Sequence, residues 1–121
     1  MKSTKIVMAI GILLAAGAIL ANLPIASAQA QTVRIDMKAS RYQFTPSTIR
    51  VKAGTPVELH VVSTDVVHGF AIQALKINER LNPGKEVVIR FTPTKAGRYP
   101  FICSVFCGPQ HSDMKGELVV E

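Results

Sequence analysis

The sequence predicts an all-β sandwich, and three observations predict it. From Val33 onward, apolar residues recur at every second position in short runs, the period of a half-buried strand. Turn signals separate the runs: Lys52-Ala53-Gly54-Thr55, Asn82-Pro83-Gly84-Lys85 and Lys95-Ala96-Gly97-Arg98, each with a residue able to take positive φ. No stretch of this region carries a helical period. Seven or so short strands with turns at such intervals argue for two packed sheets.

In chain order, residues 1–30 stand apart from this pattern. Lys2 and Lys5 precede an apolar run from Ile6 to Leu23, followed by Pro24 and the small residues Ala26-Ser27-Ala28-Gln29-Ala30. A basic start, an apolar middle and two A-x-A sites describe a secretory signal peptide cut after Ala28 or Ala30. The alternative is a single retained membrane anchor, since the run is long enough to cross a bilayer core of ~30 Å. Either way the domain, residues 31–121, is expected outside the cytoplasm, in the periplasm or an equivalent space.

The strands follow. Val33, Ile35 and Met37 alternate with Arg34, Asp36 and Lys38, so Met37 belongs to the apolar face as a core residue rather than a ligand. Ile49 with Val51 and then Val57, Leu59 and Val61 repeat the alternation. On that register His60 points to the opposite face and is expected at the surface. Val87, Ile89 and Phe91, then Tyr99, Phe101 and Cys103, and finally Leu118 with Val120 complete the set.

Composition narrows the function. Without Lys2 and Lys5 the net charge of +6 becomes +4, with no run of like charges and no tryptophan. No basic stripe with interleaved stacking aromatics is present, so a nucleic-acid partner is not expected. The carboxylates and His60 form no general-base or nucleophile constellation, so the chain on its own reads as a carrier rather than an enzyme. A domain of about ninety residues buries only a little over ~60% of its unfolded surface and gains from a staple.

That staple is sought in CSVFCGPQHSDMKG, residues 103–116, which holds both cysteines, a histidine and a methionine. A Cys103–Cys107 disulfide would close a very short loop and stabilise little. Thiolates, an imidazole and a thioether on one loop suit a soft metal, and a weak methionine beside them favours copper over structural zinc. Cys107, His111 and Met114 with His68, which lies between two strands, would complete a mononuclear blue-copper set and leave Cys103 idle. If both thiolates bridge two coppers, none is left over: His68 and His111 each end one copper, with Met114 on one and a main-chain carbonyl on the other. Two coppers are the preferred reading.

These residues resemble the dinuclear-copper (CuA) domain of cytochrome c oxidase subunit II and of nitrous oxide reductase. The family pattern S-x-D-V-[IV]-H-x-F followed by C-x-x-x-C-x-x-x-H-x-x-M is met by Ser63, Asp65, Val66, Val67, His68 and Phe70, then Cys103, Cys107, His111 and Met114. The resemblance runs from about Arg41 to Glu121 and implies a cupredoxin-like Greek-key sandwich. It also implies that Cys103 and Cys107 bridge, that His68 and His111 bind, and that Met114 and the carbonyl of Val105 are axial. Ser104, Gly108 and Asp65 are candidates for supporting contacts, each equally readable as a turn residue. The family's exposed tryptophan is missing, leaving Tyr42 and Phe44 as the nearest aromatic substitutes for electron entry. The paired transmembrane helices of oxidase subunits and the propeller of the reductase are missing too.

The expectation is therefore an exported, monomeric electron-transfer protein with a CuA-type centre. It would be free-standing or a subunit II-like part of a terminal oxidase, and its partner a c-type cytochrome or an oxidase. The alternative is a periplasmic copper-handling protein for storage, delivery or resistance.

Overall fold

The computed structural model describes residues 30–121 together with Gly17. The expected leader or anchor therefore lies, but for Gly17 and Ala30, outside the described residues. Among those described, no helix is long and apolar enough to cross a membrane.

Among the described residues nine strands form the sandwich: β1 Val33–Ser40, β2 Gln43–Thr45, β3 Thr48–Val51, β4 Val57–Ser63, β5 His68–Ile72, β6 Ile77–Leu81, β7 Val87–Phe91, β8 Gly97–Ile102 and β9 Lys115–Val120. One sheet has the order β2-β1-β4-β7 and the other β3-β9-β8-β5-β6. Both are mixed, because β1 runs parallel to β4 and β3 parallel to β9 while the remaining pairs are antiparallel. The turns behave as their residues require. Gly54 and Gly84 take φ of +81° and +73°, values that favour glycine over any residue with a Cβ.

The alternation seen in the sequence becomes the core. Met37, Leu59, Val61 and Ile89 face inward from the first sheet, and Ile49, Phe70, Ile72, Phe101, Leu118 and Val120 from the second. Phe44 stands edge-on to both Phe70 and Phe101, with centroids 5.6 and 5.4 Å apart, the geometry that aromatic quadrupoles favour. At 1% exposure Phe44 is a centre-of-core residue. It is therefore no surface route for electrons, which corrects the expectation for it.

His60 corrects a second expectation. It lies outside the core cluster, as the register of β4 requires, yet it is only 8% exposed. Its Nδ1 meets Glu86 Oε1 and its Nε2 meets Glu58 Oε1, both at 2.6 Å. Only the imidazolium has N–H donors at both positions. Glu86 first, and then Glu58, accordingly hold the His60 pKa above its ordinary 6.5. A group whose pKa is raised by folding stabilises the fold fully below its unfolded value and stops doing so as pH rises through the folded one. The melting temperature should thus decline as pH climbs from about 6.5, and His60→Gln should flatten that decline. Parallel curves for the two proteins would remove His60 as its cause.

Candidate metal centre

The six residues expected at the site come together at one end of the sandwich. β4 ends at Ser63 and β5 begins at His68, so the loop between them delivers His68 to the pole. That loop is tied locally. The Ser63 hydroxyl donates to the carbonyl of Val66, and the Thr64 N–H donates to the carbonyl of Ala39 at 3.0 Å. β8 ends just before Cys103, and the chain loops through Cys107 to a single 3-10 turn at His111–Asp113 before entering β9. The Cys103 N–H donates to the carbonyl of Met114 at 3.0 Å, which closes this loop at its base.

The donor atoms form a continuous series. His68 Nδ1 lies 3.8 Å from Cys103 Sγ, the two sulfurs are 3.7 Å apart, and Cys107 Sγ lies 3.5 Å from His111 Nδ1. The Val105 carbonyl flanks Cys103 Sγ at 3.1 Å, and Met114 Sδ flanks Cys107 Sγ at 3.9 Å. Each sulfur thus has one imidazole and one weaker donor of its own. Both thiols are free, and 3.7 Å is far beyond the ~2.05 Å of a disulfide bond. Two thiolates bound to one soft metal at ~2.3 Å with tetrahedral angles would stand roughly 3.8 Å apart, so the observed spacing fits a shared metal.

Burial and hydrogen bonding favour a cation here. His68 is wholly buried, and Cys103, Cys107 and Met114 nearly so. Burial pushes the Cys107 thiol up to about 11, the adjacent Cys103 adds to the rise, and the Arg41 charge opposes it. Ionising such a thiol calls for a positive charge close by, which a bound metal supplies. Asp65 orients the imidazole, since its Oδ1 accepts from His68 Nε2 at 2.7 Å and so leaves Nδ1 turned toward Cys103 with its lone pair free. Burial works to raise the Asp65 pKa, but hydrogen bonds from the Arg41 and Val66 N–H groups and from His68 outweigh it and hold the carboxyl at about 2. Ser104 supports the ligand loop, its hydroxyl donating to Asn78 Oδ1 on β6 at 2.7 Å.

Three contributors were not legible from the sequence. Phe106, between the cysteines, is 76% exposed, and its ring lies 5.6 Å from that of His111, the half-buried histidine of the site. Phe106 is thus an exposed aromatic beside the site, a position that neither Phe44 nor Tyr42 takes; Tyr42 instead covers Gly108. Arg41 contacts both the Asp65 carboxylate and the Cys107 carbonyl. Gly69, finally, lets the ligand loop lie on β5. A Cβ there would come within 2.1 Å of Ser104 Oγ and 2.9 Å of the Val105 N. Gly69→Ala should displace the Val105 segment and destabilise the fold by about 1–3 kcal/mol. Chemical denaturation of the metal-free protein checks this, and an unchanged midpoint would show that the loop yields freely.

The fold and this site define a cupredoxin-like domain, and the chain belongs to that family, whose model matches residues 7–120. Among its relatives is cytochrome c oxidase subunit 2 of Thermus thermophilus, 34% identical over 83 residues, which are 69% of this chain and 62% of the relative. Nitrous-oxide reductase of Ralstonia nicotianae is 32% identical over 94 residues, covering 74% of this chain and 14% of the enzyme. A solved haem–copper terminal oxidase dimer contains a chain that superposes with a TM-score of 0.68 at 29% identity, covering 80% of this chain and 68% of that one. This chain thus spans less than two thirds of the length of either sequence relative. The resemblance to oxidase subunit II and nitrous oxide reductase read from the ligand motif is borne out.

Proposed function

We propose that this chain is an exported electron-transfer domain with a dinuclear copper centre, residues 1–30 being its leader and 31–121 the domain. Cys103 and Cys107 would bridge the coppers, His68 with the Val105 carbonyl would serve one, and His111 with Met114 the other. The observation that carries this reading is the pairing of donors about the two sulfurs, one imidazole and one weak donor on each side. A four-coordinate site for one metal would use the two sulfurs and two imidazoles but would leave both weak donors without a role. Bound copper would supply one-electron transfer with the charge shared across both metals and both sulfurs. The chain would do the rest. The core beneath the site holds the ligand loops rigid, burial of His68, Cys103 and Met114 excludes water, and Asp65 keeps His68 in the binding tautomer.

Half-buried His111, with Phe106 beside it, is the most exposed of the proposed side-chain ligands, and a redox partner such as a c-type cytochrome or an oxidase would meet the domain there. The domain would act as a carrier, alone or as part of a terminal oxidase.

The test is electron paramagnetic resonance with visible absorption on the reduced chain after copper loading. A purple protein whose hyperfine pattern shares one electron between two equivalent coppers supports the proposal. A blue, single-copper spectrum would leave Cys103 idle and defeat the dinuclear centre. A colourless protein retaining only Cu(I) would favour copper handling instead.

A further inference from the structure

Arg41 sits in the turn between β1 and β2 and meets the metal centre from two directions. Its main-chain N–H donates to Asp65 Oδ2 at 2.7 Å, and Oδ1 of the same carboxylate accepts from His68 Nε2 at 2.7 Å. Its side chain reaches the other end of the site, where Nε donates to the carbonyl of Cys107 at 3.0 Å. A single residue thereby joins the His68 end, carried by the loop before β5, to the Cys107 end, carried by the loop after β8. The charge is also unbalanced. Arg34, Arg50, Arg90 and Arg98 each pair with a carboxylate, whereas the Arg41 guanidinium, like that of Arg80 on β6, forms no ion pair among the described residues.

We infer that Arg41 is a positioning residue of the metal centre, fixing the spacing of its His68 and Cys107 ends and keeping a positive charge beside the Cys107 loop. For its effect on a bound metal, the inference rests on the copper reading above. The clamp itself rests on the hydrogen bonds alone. Any substitution except proline keeps the main-chain N–H to Asp65, so changing the side chain isolates the Cys107 contact and the charge. Arg41→Met removes both. Arg41→Lys keeps the charge, but an ammonium on a flexible stem cannot reproduce the planar Nε contact. A nearby positive charge favours the electron-richer state of a bound metal, so losing it lowers the midpoint potential.

The experiment compares the full chain with Arg41→Met, Arg41→Lys and the remote control Arg34→Met. The readings are the unfolding midpoint and the amide exchange of residues 104–108 without metal, then Cu(I) release to a chelator and the midpoint potential after loading. Arg41→Met should exchange and release copper about tenfold faster, the lower end for lost supporting contacts, and show a lowered potential. Arg41→Lys should regain the potential while releasing copper faster than wild type, and Arg34→Met should match wild type. Exchange and release within about twofold of wild type, with an unmoved potential, would overturn the inference whatever happens to the unfolding midpoint. Faster exchange with an unmoved potential would keep the clamp and overturn the electrostatic half. If the wild type takes up no copper, it is the copper reading that fails. The metal-free exchange then decides the clamp alone, with faster exchange in Arg41→Met supporting it and unchanged exchange overturning it.

Discussion

Replacing Cys107 with serine is expected to cut copper binding from two ions per chain to one at most, and replacing Cys103 to do the same. Each sulfur stands between its own imidazole and the other sulfur, so losing one removes half of the proposed double bridge and the only thiolate beside that imidazole. A serine hydroxyl is a hard, weakly acidic donor and does not stand in for a thiolate toward copper. The loss should also appear as stability. A ligand that binds only the folded state at a hundredfold excess over its Kd adds about 2.7 kcal/mol. In a domain of this size that corresponds to a melting temperature roughly 10–20 °C higher. The wild type should show that copper-dependent rise, and the serine variants should show much less of it. Metal analysis alongside thermal melts, with and without copper, reads both effects. Two ions retained in both variants would rule out bridging by the cysteines.

The parts of this molecule that were legible in the sequence share a cause: their chemistry is local. Strands β1, β3, β4, β7, β8 and β9 each have one face in the core and one outside it, so alternation exposes them. Strand β5 is buried at every position, because the ligand loop covers the side that the core does not, and it shows no alternation to read. In β6 the middle residues Asn78, Glu79 and Arg80 are exposed, and no apolar stripe forms. The candidate ligands Cys103, Cys107, His111 and Met114 could be singled out because one loop carries them at a fixed spacing, and His68 because its own segment has a recognisable pattern.

Long-range contacts stayed hidden. Periodicity gave the direction of His60 correctly but not the carboxylates of Glu58 and Glu86 that close over it. Arg41 gains its place only when residues 24 and 66 positions away fold against it. Phe106 reads as one more apolar residue until the loop turns it outward.

Asp65→Asn is expected to weaken the site nearly as much as losing a ligand, although it changes a single atom. The Asp65 carboxylate accepts three hydrogen bonds, with the Val66 N–H at 2.6 Å and His68 Nε2 at 2.7 Å on Oδ1, and the Arg41 N–H at 2.7 Å on Oδ2. An asparagine has only one oxygen. If that oxygen stays toward His68, the amide nitrogen faces the Arg41 N–H and two donors collide. If the amide flips, the Arg41 bond survives but the imidazole faces a donor, which favours a proton on Nδ1 where a metal should bind. Either choice leaves a donor unsatisfied, at about 1–3 kcal/mol in the metal-free fold. Disturbing a partner that orients a ligand costs roughly 10–100-fold in metal affinity. Copper titration against a competing chelator measures that loss, and nitrogen-15 shifts of the His68 ring in the metal-free protein report the tautomer directly. If Asp65→Asn bound copper as tightly as the wild type with the His68 proton still on Nε2, the carboxylate would be no more than a turn residue. A 10-fold or larger loss together with a tautomer change would show that the geometry of this site is set as much by the acceptor behind His68 as by the sulfurs in front of it.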